Sequence, residues 1–306
     1  MRSSYSRFNV LVYLLDGSKD DQTLQVYEKY KTDWIIYEHL PDTTLQYRFF
    51  RALNNIDAEY ICLTKDNFFP KSEAAEELMQ WLDKGYDYLQ FAESWLESRV
   101  KRILGGVKEK EFSSVAECCK KTTQLGSGLF GAVFLKKSSY RLVTYEEHCK
   151  EYGVNEFFYL IYYYNYLASE SFRGFFTVKF FPQNRLPPEL QPKRRSFWLT
   201  RELFFEVWGK DWCKAIRRFK CLNDDEKKYI TACISFLSGF KNFIYLRLSG
   251  ILDHETYTQY EEEIKQITPV DHRIVYLISI TPVFVFRAMQ LVYRCLKKIK
   301  SLFVKH

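Results

Sequence analysis

The chain has eight cysteines but no Cys-x-x-Cys pair. Cys62, Cys118, Cys119, Cys149, Cys213, Cys221, Cys233 and Cys295 are scattered, and the only close pair, Cys118 and Cys119, is adjacent. That spacing argues against a zinc ribbon or a dithiol redox motif. Five dispersed histidines supply no metal-binding pattern, and there is no Gly-x-Ser-x-Gly nucleophile elbow. Glycine is sparse at 12 residues. Gly126, Gly128 and Gly131 lack the preceding strand and the acidic partner of a dinucleotide fingerprint, so their expected use is close approach of backbone to a ligand or a packed neighbour. No signal-type segment opens the sequence, and the longest apolar stretch, near the C-terminus, is interrupted by Pro282 and too short to span a bilayer. These absences favour a reducing, cytoplasmic setting with free thiols.

What is present is aromatic and basic. Phe, Trp and Tyr make up 18% of the 306 residues, and the formal charge is +7. Val10, Leu11, Val12, Leu14 and Leu15 form an apolar run that reads as a strand buried on both faces, central in a parallel or mixed sheet. It ends in Asp16-Gly17-Ser18. Ligands of open α/β sheets bind beyond such strand ends, although Asp, Gly and Ser also make ordinary turns and helix caps. A short amphipathic helix through Leu24, Val26, Tyr27 and Tyr30 leads to a strand at Trp34-Ile35-Ile36-Tyr37. A second helix, Tyr47 to Ile56, feeds a strand at Tyr60 to Thr64. This alternation predicts a parallel α/β sheet.

Three segments, "VLVYLLDGSKDDQTL", "DWIIYEHLPD" and "RALNNIDAEYICLTKDNFFP", run in the order seen in bacterial family-two glycosyltransferases, which the chain resembles from about residue 8 to 166. The resemblance implies a GT-A fold: an α/β sheet with helices on both faces, followed here by a mostly helical extension. It implies that Asp16, Gly17 and Ser18 contact the nucleoside of a nucleotide-diphosphate sugar donor. Lys65, Asp66 and Asn67 stand where relatives carry an Asp-x-Asp element that holds Mn or Mg. One carboxylate, one amide and an ammonium would bind a metal weakly, or Lys65 would itself oppose the phosphates. Downstream, "GSGLFGAVFLKKSSY" and "EYGVNEFFYLIYYYNYL" resemble the donor-sugar segment and the base-bearing helix, which implies Glu156 as general base on the acceptor hydroxyl. A helix-capping acid is the alternative for Glu156. Relatives begin with an earlier nucleotide-binding strand, and only Met1 to Phe8 precede the first strand here.

After the proline-rich stretch at Pro187, Pro188 and Pro192, four helices are expected: Ser196 to Phe219, Asp224 to Leu248, His254 to Ile267, and Val270 to the C-terminus. This gives a sugar-nucleotide domain over 1–185 and a helical extension over 186–306. The last segment combines apolar residues with Arg287, Arg294, Lys297, Lys298, Lys300 and Lys305, and has no acid after Asp271. It reads as an amphipathic anchor for an anionic membrane surface on the inner face of the cell membrane, or else as a terminal helix packed on its own core with solvated lysines. No nucleic-acid motif accompanies the basic residues.

The expected function is transfer of a sugar, with inversion, to a lipid-linked glycan in cell-surface polysaccharide or capsule synthesis. The alternative is a non-catalytic GT-A relative that partners an active glycosyltransferase or a second copy of itself. A membrane-surface adaptor without sugar chemistry is a third reading.

Overall fold

The computed structural model describes residues 9–64, 68–70, 75–92, 97–128, 130–178, 183–185, 200, 204–232 and 239–292. The chain divides into two compact units, one comprising residues 1–191 with 218–223, the other 192–217 with 224–306.

The first unit is a mixed α/β structure. Strand β1 (Val12–Asp16) leads through α1 (Gln22–Tyr30) to β2 (Ile35–His39), then through α2 (Leu45–Asn55) to the short β3 (Tyr60–Ile61). β1 and β2 pair in parallel, with Asp16 opposite His39. Next come β4 (Phe68–Pro70), α3 (Ala75–Leu82), β5 (Tyr88–Phe91), α4 (Glu97–Leu104), β6 (Glu109–Phe112) and α5 (Val115–Thr122). β7 (Val133–Lys136), α6 (Tyr145–Tyr152), α7 (Phe158–Asn165), β8 (Gly174–Thr177) and β9 (Gln183–Arg185) complete the unit. The main sheet has the order β3-β7-β5-β8-β6. Only β5 and β8 are parallel within it.

Three expectations need correction. The alternation of segments predicts a parallel sheet, but in the main sheet β3–β7, β7–β5 and β8–β6 pair antiparallel, because the strands that follow one another in the chain are not the ones that pair there. β1 is not a central strand buried on both faces: among the described residues it pairs with β2 alone, most of its residues are half-buried, and Leu11 is exposed. The strand expected over Tyr60 to Thr64 is only two residues long; beyond it the regular pairing with β7 gives way to a single bond from the Gly131 amide to the Leu63 carbonyl, at 2.6 Å.

Helix α7 explains the layering. Phe158 through Tyr164 are all buried, so the helix is apolar on every side and needs cover all round. Phe49 and Phe50 of α2 supply it from one direction, with ring centroids 5.3 and 6.1 Å from Phe158. Tyr88 of β5 lies 5.9 Å from Tyr164. Side chains alternate across β5. Leu89 and Phe91 accordingly join Ala75 and Leu78 of α3, with Tyr86 and Phe175, in a second cluster. Some of the buried hydroxyls are satisfied locally: Tyr88 donates to Gln90 Oε1 at 2.6 Å, Gln90 Nε2 donates to the Leu125 carbonyl, and Thr122 Oγ1 lies 2.9 Å from the Tyr164 hydroxyl, whereas the Tyr140 hydroxyl is buried without a partner. Asn165, ending α7, holds residues 218–220 through the Arg218 carbonyl at 2.7 Å and the Lys220 amide at 3.0 Å. Lys220 also reaches Glu151 at 2.5 Å, and Phe219 is fully buried against Tyr164.

The second unit is helical. A π-helical turn, Glu206–Asp211, runs into α8 (Trp212–Arg217), and α9 (Asp224–Ala232), α10 (Phe240–Leu248), α11 (His254–Gln259), α12 (Glu261–Ile267), α13 (His272–Ile280) and α14 (Val283–Val292) follow. Of the expected long helices, the one over Ser196 to Phe219 is helical over its described part 204–217, its start lying outside the described residues, and the other three are broken. Residues 224–248 hold two, α10 starting afresh after Gly239 in extended conformation. Residues 254–267 are interrupted at Tyr260, whose ring stacks on Phe205 at 5.4 Å while its hydroxyl donates to Glu206 at 2.7 Å. Pro282 ends the next helix, since it has no N–H to continue the ladder. Gly209 approaches α12 closely: a Cβ there would stand 3.3 Å from the Cβ of Glu263.

His148 of α6 is fully buried among aromatic rings, its Nδ1 hydrogen-bonded with the Tyr166 hydroxyl at 3.2 Å and its Nε2 without a partner. Burial pushes its pKa down to about 4, against a small opposing pull from Glu151. The folded value lies below the unfolded one, near 6.5, so this contribution to stability is complete above pH 6.5 and is lost as pH falls towards 4, by up to about 3 kcal/mol. Thermal unfolding followed between pH 7 and 5 is expected to show a falling midpoint that His148→Phe flattens; an unchanged slope in the variant assigns the pH dependence to other groups.

Candidate functional site

Two of the three sequence-marked segments meet at the first turns of α2. Thr44 caps this helix by accepting from the Tyr47 amide. Gln46, on the inward face and buried, donates Nε2 to the Gly153 carbonyl at 3.2 Å and accepts from the Asn155 amide at 3.0 Å. Asn155 Oδ1 in turn accepts from the amide of Phe157 at 2.7 Å, in the turn that opens α7. Glu156 lies between them, exposed. The first turn of α7 carries no acid, and the side-chain bond at its entrance comes from Asn155, so Asn155 makes the local turn expected of a capping residue there.

Two positions on from Gln46, Arg48 projects towards the end of β1. Its Nη1 donates to the Thr43 carbonyl at 2.8 Å, and its guanidinium fills the space a side chain at position 17 would occupy. A side chain at position 17 would oblige this guanidinium to move. The Arg48 Nε is buried without a hydrogen-bond partner. Burial pulls the Arg48 pKa down, while the neighbouring Asp16 raises it.

Asp16 itself is 8% exposed and engaged by its own fold. Oδ1 accepts from the Ser18 amide at 2.9 Å, Oδ2 from the Tyr37 hydroxyl at 2.7 Å. Burial pushes the Asp16 carboxyl up, but the bonds from Tyr37 and Ser18 and the charge near His39 outweigh it, leaving the group below its ordinary value. Tyr37 is pushed up to about 12, first by burial and then by this carboxylate. His39 Nε2 donates to the Ser18 carbonyl at 2.9 Å. Tyr37, His39 and Arg48 thus belong to the strand end although the sequence reading did not single them out. For the first two the signal was available: residues 37 and 39 share one face of β2, and a parallel partner brings that strand's end beside Asp16.

The glycine segment joins the same α7 region. Tyr159 donates to the Gly128 carbonyl at 3.1 Å and packs on Phe130 at 5.2 Å. Burial, and then the Glu156 carboxylate, push the Tyr159 hydroxyl well up. Gly131 meets Leu63 on the strand side. Lys65, Asp66 and Asn67 lie outside the described residues, as do Arg294, Lys297, Lys298, Lys300 and Lys305. Among the described residues no three His, Cys, Asp or Glu side chains cluster as metal ligands, and Cys62, Cys118, Cys119, Cys149, Cys213 and Cys221 form no disulfide.

Gln46→Leu keeps the volume of the side chain and removes both clamp bonds, to the Gly153 carbonyl and from the Asn155 amide. The expected result is a loss of about 2 kcal/mol in stability, with faster hydrogen exchange at the amides of Asn155 and Phe157. Unchanged protection at those amides shows that the loop before α7 is held by something else.

No family model matches the chain, and no curated protein does. Two solved structures of residues 1–349 of S. aureus TarS are similar to it, one at 12% identity with a TM-score of 0.44, the other, in complex with UDP-GlcNAc, at 13% with 0.45. Each comparison covers 94% of this chain and 83% of the other.

Proposed function

We propose that this chain is a GT-A-type glycosyltransferase that moves a sugar from a nucleotide diphosphate to a hydroxyl of a lipid-linked glycan at the cytoplasmic face of a bacterial membrane. The observation that carries this reading is the double attachment of α2: Arg48 lies against the Asp16-Gly17 strand end and Gln46 grips the turn that presents Glu156. One rigid helix therefore fixes the distance between a nucleoside-binding strand end and a candidate base, as a transfer reaction requires.

In this mechanism Ser18 and the Asp16 carboxylate position the nucleoside. Glu156 takes the proton of the acceptor hydroxyl as its oxygen attacks the anomeric carbon, while the bond from that carbon to the diphosphate breaks on the opposite face, with inversion. The leaving diphosphate is assigned to Lys65 and Asp66 with Asn67. One carboxylate and one amide are a thin donor set for a divalent cation, which seeks several hard oxygens, so the positive charge of Lys65 takes the larger share. The chemistry belongs to residues 1–185, and 186–306 form an extension whose basic end, from Arg287 through Lys305, is drawn to anionic lipid.

A second reading, a non-catalytic partner of an active transferase or of a second copy, is favoured by Asp16, each of whose carboxylate oxygens already accepts one internal bond, from the Ser18 amide and the Tyr37 hydroxyl. Calorimetric titration with UDP, GDP and CDP, each with and without manganese, separates the two. Binding of one nucleotide, followed by turnover with its sugar that Glu156→Gln lowers roughly a hundredfold or more while binding persists, is the expected outcome. Folded protein that binds none of the three belongs to the non-catalytic reading.

A further inference from the structure

Helices α13 and α14 meet at an angle of 99°, and no single helix among the described residues is long and apolar enough to cross a membrane. The elbow between them is built, not slack. Thr281 donates its amide and its hydroxyl to the Leu277 carbonyl at 3.1 and 2.6 Å, closing α13. Its carbonyl accepts from Arg247 Nε of α10 at 3.1 Å, and the same guanidinium holds the Leu252 carbonyl at 3.3 Å. Beyond Pro282, the Val285 amide donates back to the Pro282 carbonyl at 3.0 Å.

The elbow divides its side chains cleanly. Val275, Ile278 and Phe286 are buried, while Leu277 is 57% exposed, Ile280 43%, Phe284 71% and Leu291 62%. Apolar side chains this open, gathered on one bent pair, mark an interaction surface. Its surroundings in the chain name the partner. Residues 272–306 hold seven Lys or Arg and no Asp or Glu, so they account for the whole formal charge of +7, and the 38 basic residues before them are matched by 38 acidic ones.

We propose that the α13–α14 elbow is a preformed apolar wedge that seats in one leaflet of an anionic bilayer, with Leu277, Ile280 and Phe284 among the acyl chains and the basic residues at the headgroups. This extends the reading of the C-terminal segment as surface-seeking and does not depend on the sugar chemistry. The bend keeps the pair in the interface, where an apolar face enters only about 5–10 Å. Arg247 holds the angle before lipid is met, so little ordering remains to be done on binding.

The test is flotation of the full chain with phosphatidylcholine vesicles, with and without phosphatidylglycerol, at low and raised salt. The wild type is expected to float with the anionic vesicles and to keep part of that binding at raised salt. Leu277→Ser, Ile280→Ser and Phe284→Ser together are expected to weaken it roughly tenfold or more with every basic residue in place. These side chains are exposed, so an unchanged circular dichroism spectrum and melting midpoint are expected for the variant; Phe284→Ser alone, with a smaller loss, repeats the test with one change. Wild-type binding equal to that of the triple variant, or binding abolished by salt alone, overturns the wedge in favour of a purely electrostatic tail. Absence of wild-type binding, with a dimer in sedimentation that the triple variant converts to monomer, overturns it in favour of a second copy of the chain. Nucleotide titration is indifferent to all these outcomes.

Discussion

Seven consecutive side chains of α7 are buried, and four of them are tyrosines. That constraint orders the first unit. A helix with no polar side has to be enclosed, and each enclosed hydroxyl has to find a partner or lower stability. The partners are drawn from every neighbouring segment: Thr122 from α5 for Tyr164, the Gly128 carbonyl for Tyr159, and the Arg141 carbonyl for Tyr162 at 3.4 Å. The glycine segment and the turn before α7 are thereby positioned by the same packing that forms the core, so the candidate site carries little independent machinery of its own.

α2 completes that arrangement through a division of labour along one helix. Phe49 and Phe50 face α7, Gln46 holds the turn preceding it, and Arg48 points away to the end of β1. With an arginine placed so close to a strand end, a side chain at position 17 would oblige its guanidinium to move. The glycine between Asp16 and Ser18 thus has an internal use in this fold that a turn reading or a ligand reading alone does not predict.

The local features were the legible ones. α1 and α2 lie where their apolar spacing placed them, α7 follows from the aromatic run between Phe157 and Tyr166, and a mixed α/β unit followed by a helical one agrees with the expected class, although the alternation of segments predicted a parallel sheet and the main sheet is largely antiparallel. What failed depended on partners distant in sequence. The apolar run of β1 reads the same whether one neighbour pairs with it or two, and only the sheet order decides. The break at Tyr260 came from a ring stacked on Phe205 and a hydroxyl bonded to Glu206, more than fifty residues away. Arg48 resembled any surface arginine on an amphipathic helix, because nothing in its own segment announces the glycine it covers.

The grip of Asn165 on residues 218–220 has a topological consequence. The chain leaves the first unit after residue 191, returns for six residues that bury Phe219 against Tyr164, and leaves again. No single cut separates the two units with both intact. A fragment stopping short of residue 218 keeps every strand of the main sheet yet uncovers the end of α7, presenting to water an aromatic socket that the full chain keeps filled. Residues 218–223 are therefore expected to be needed for the first unit to fold.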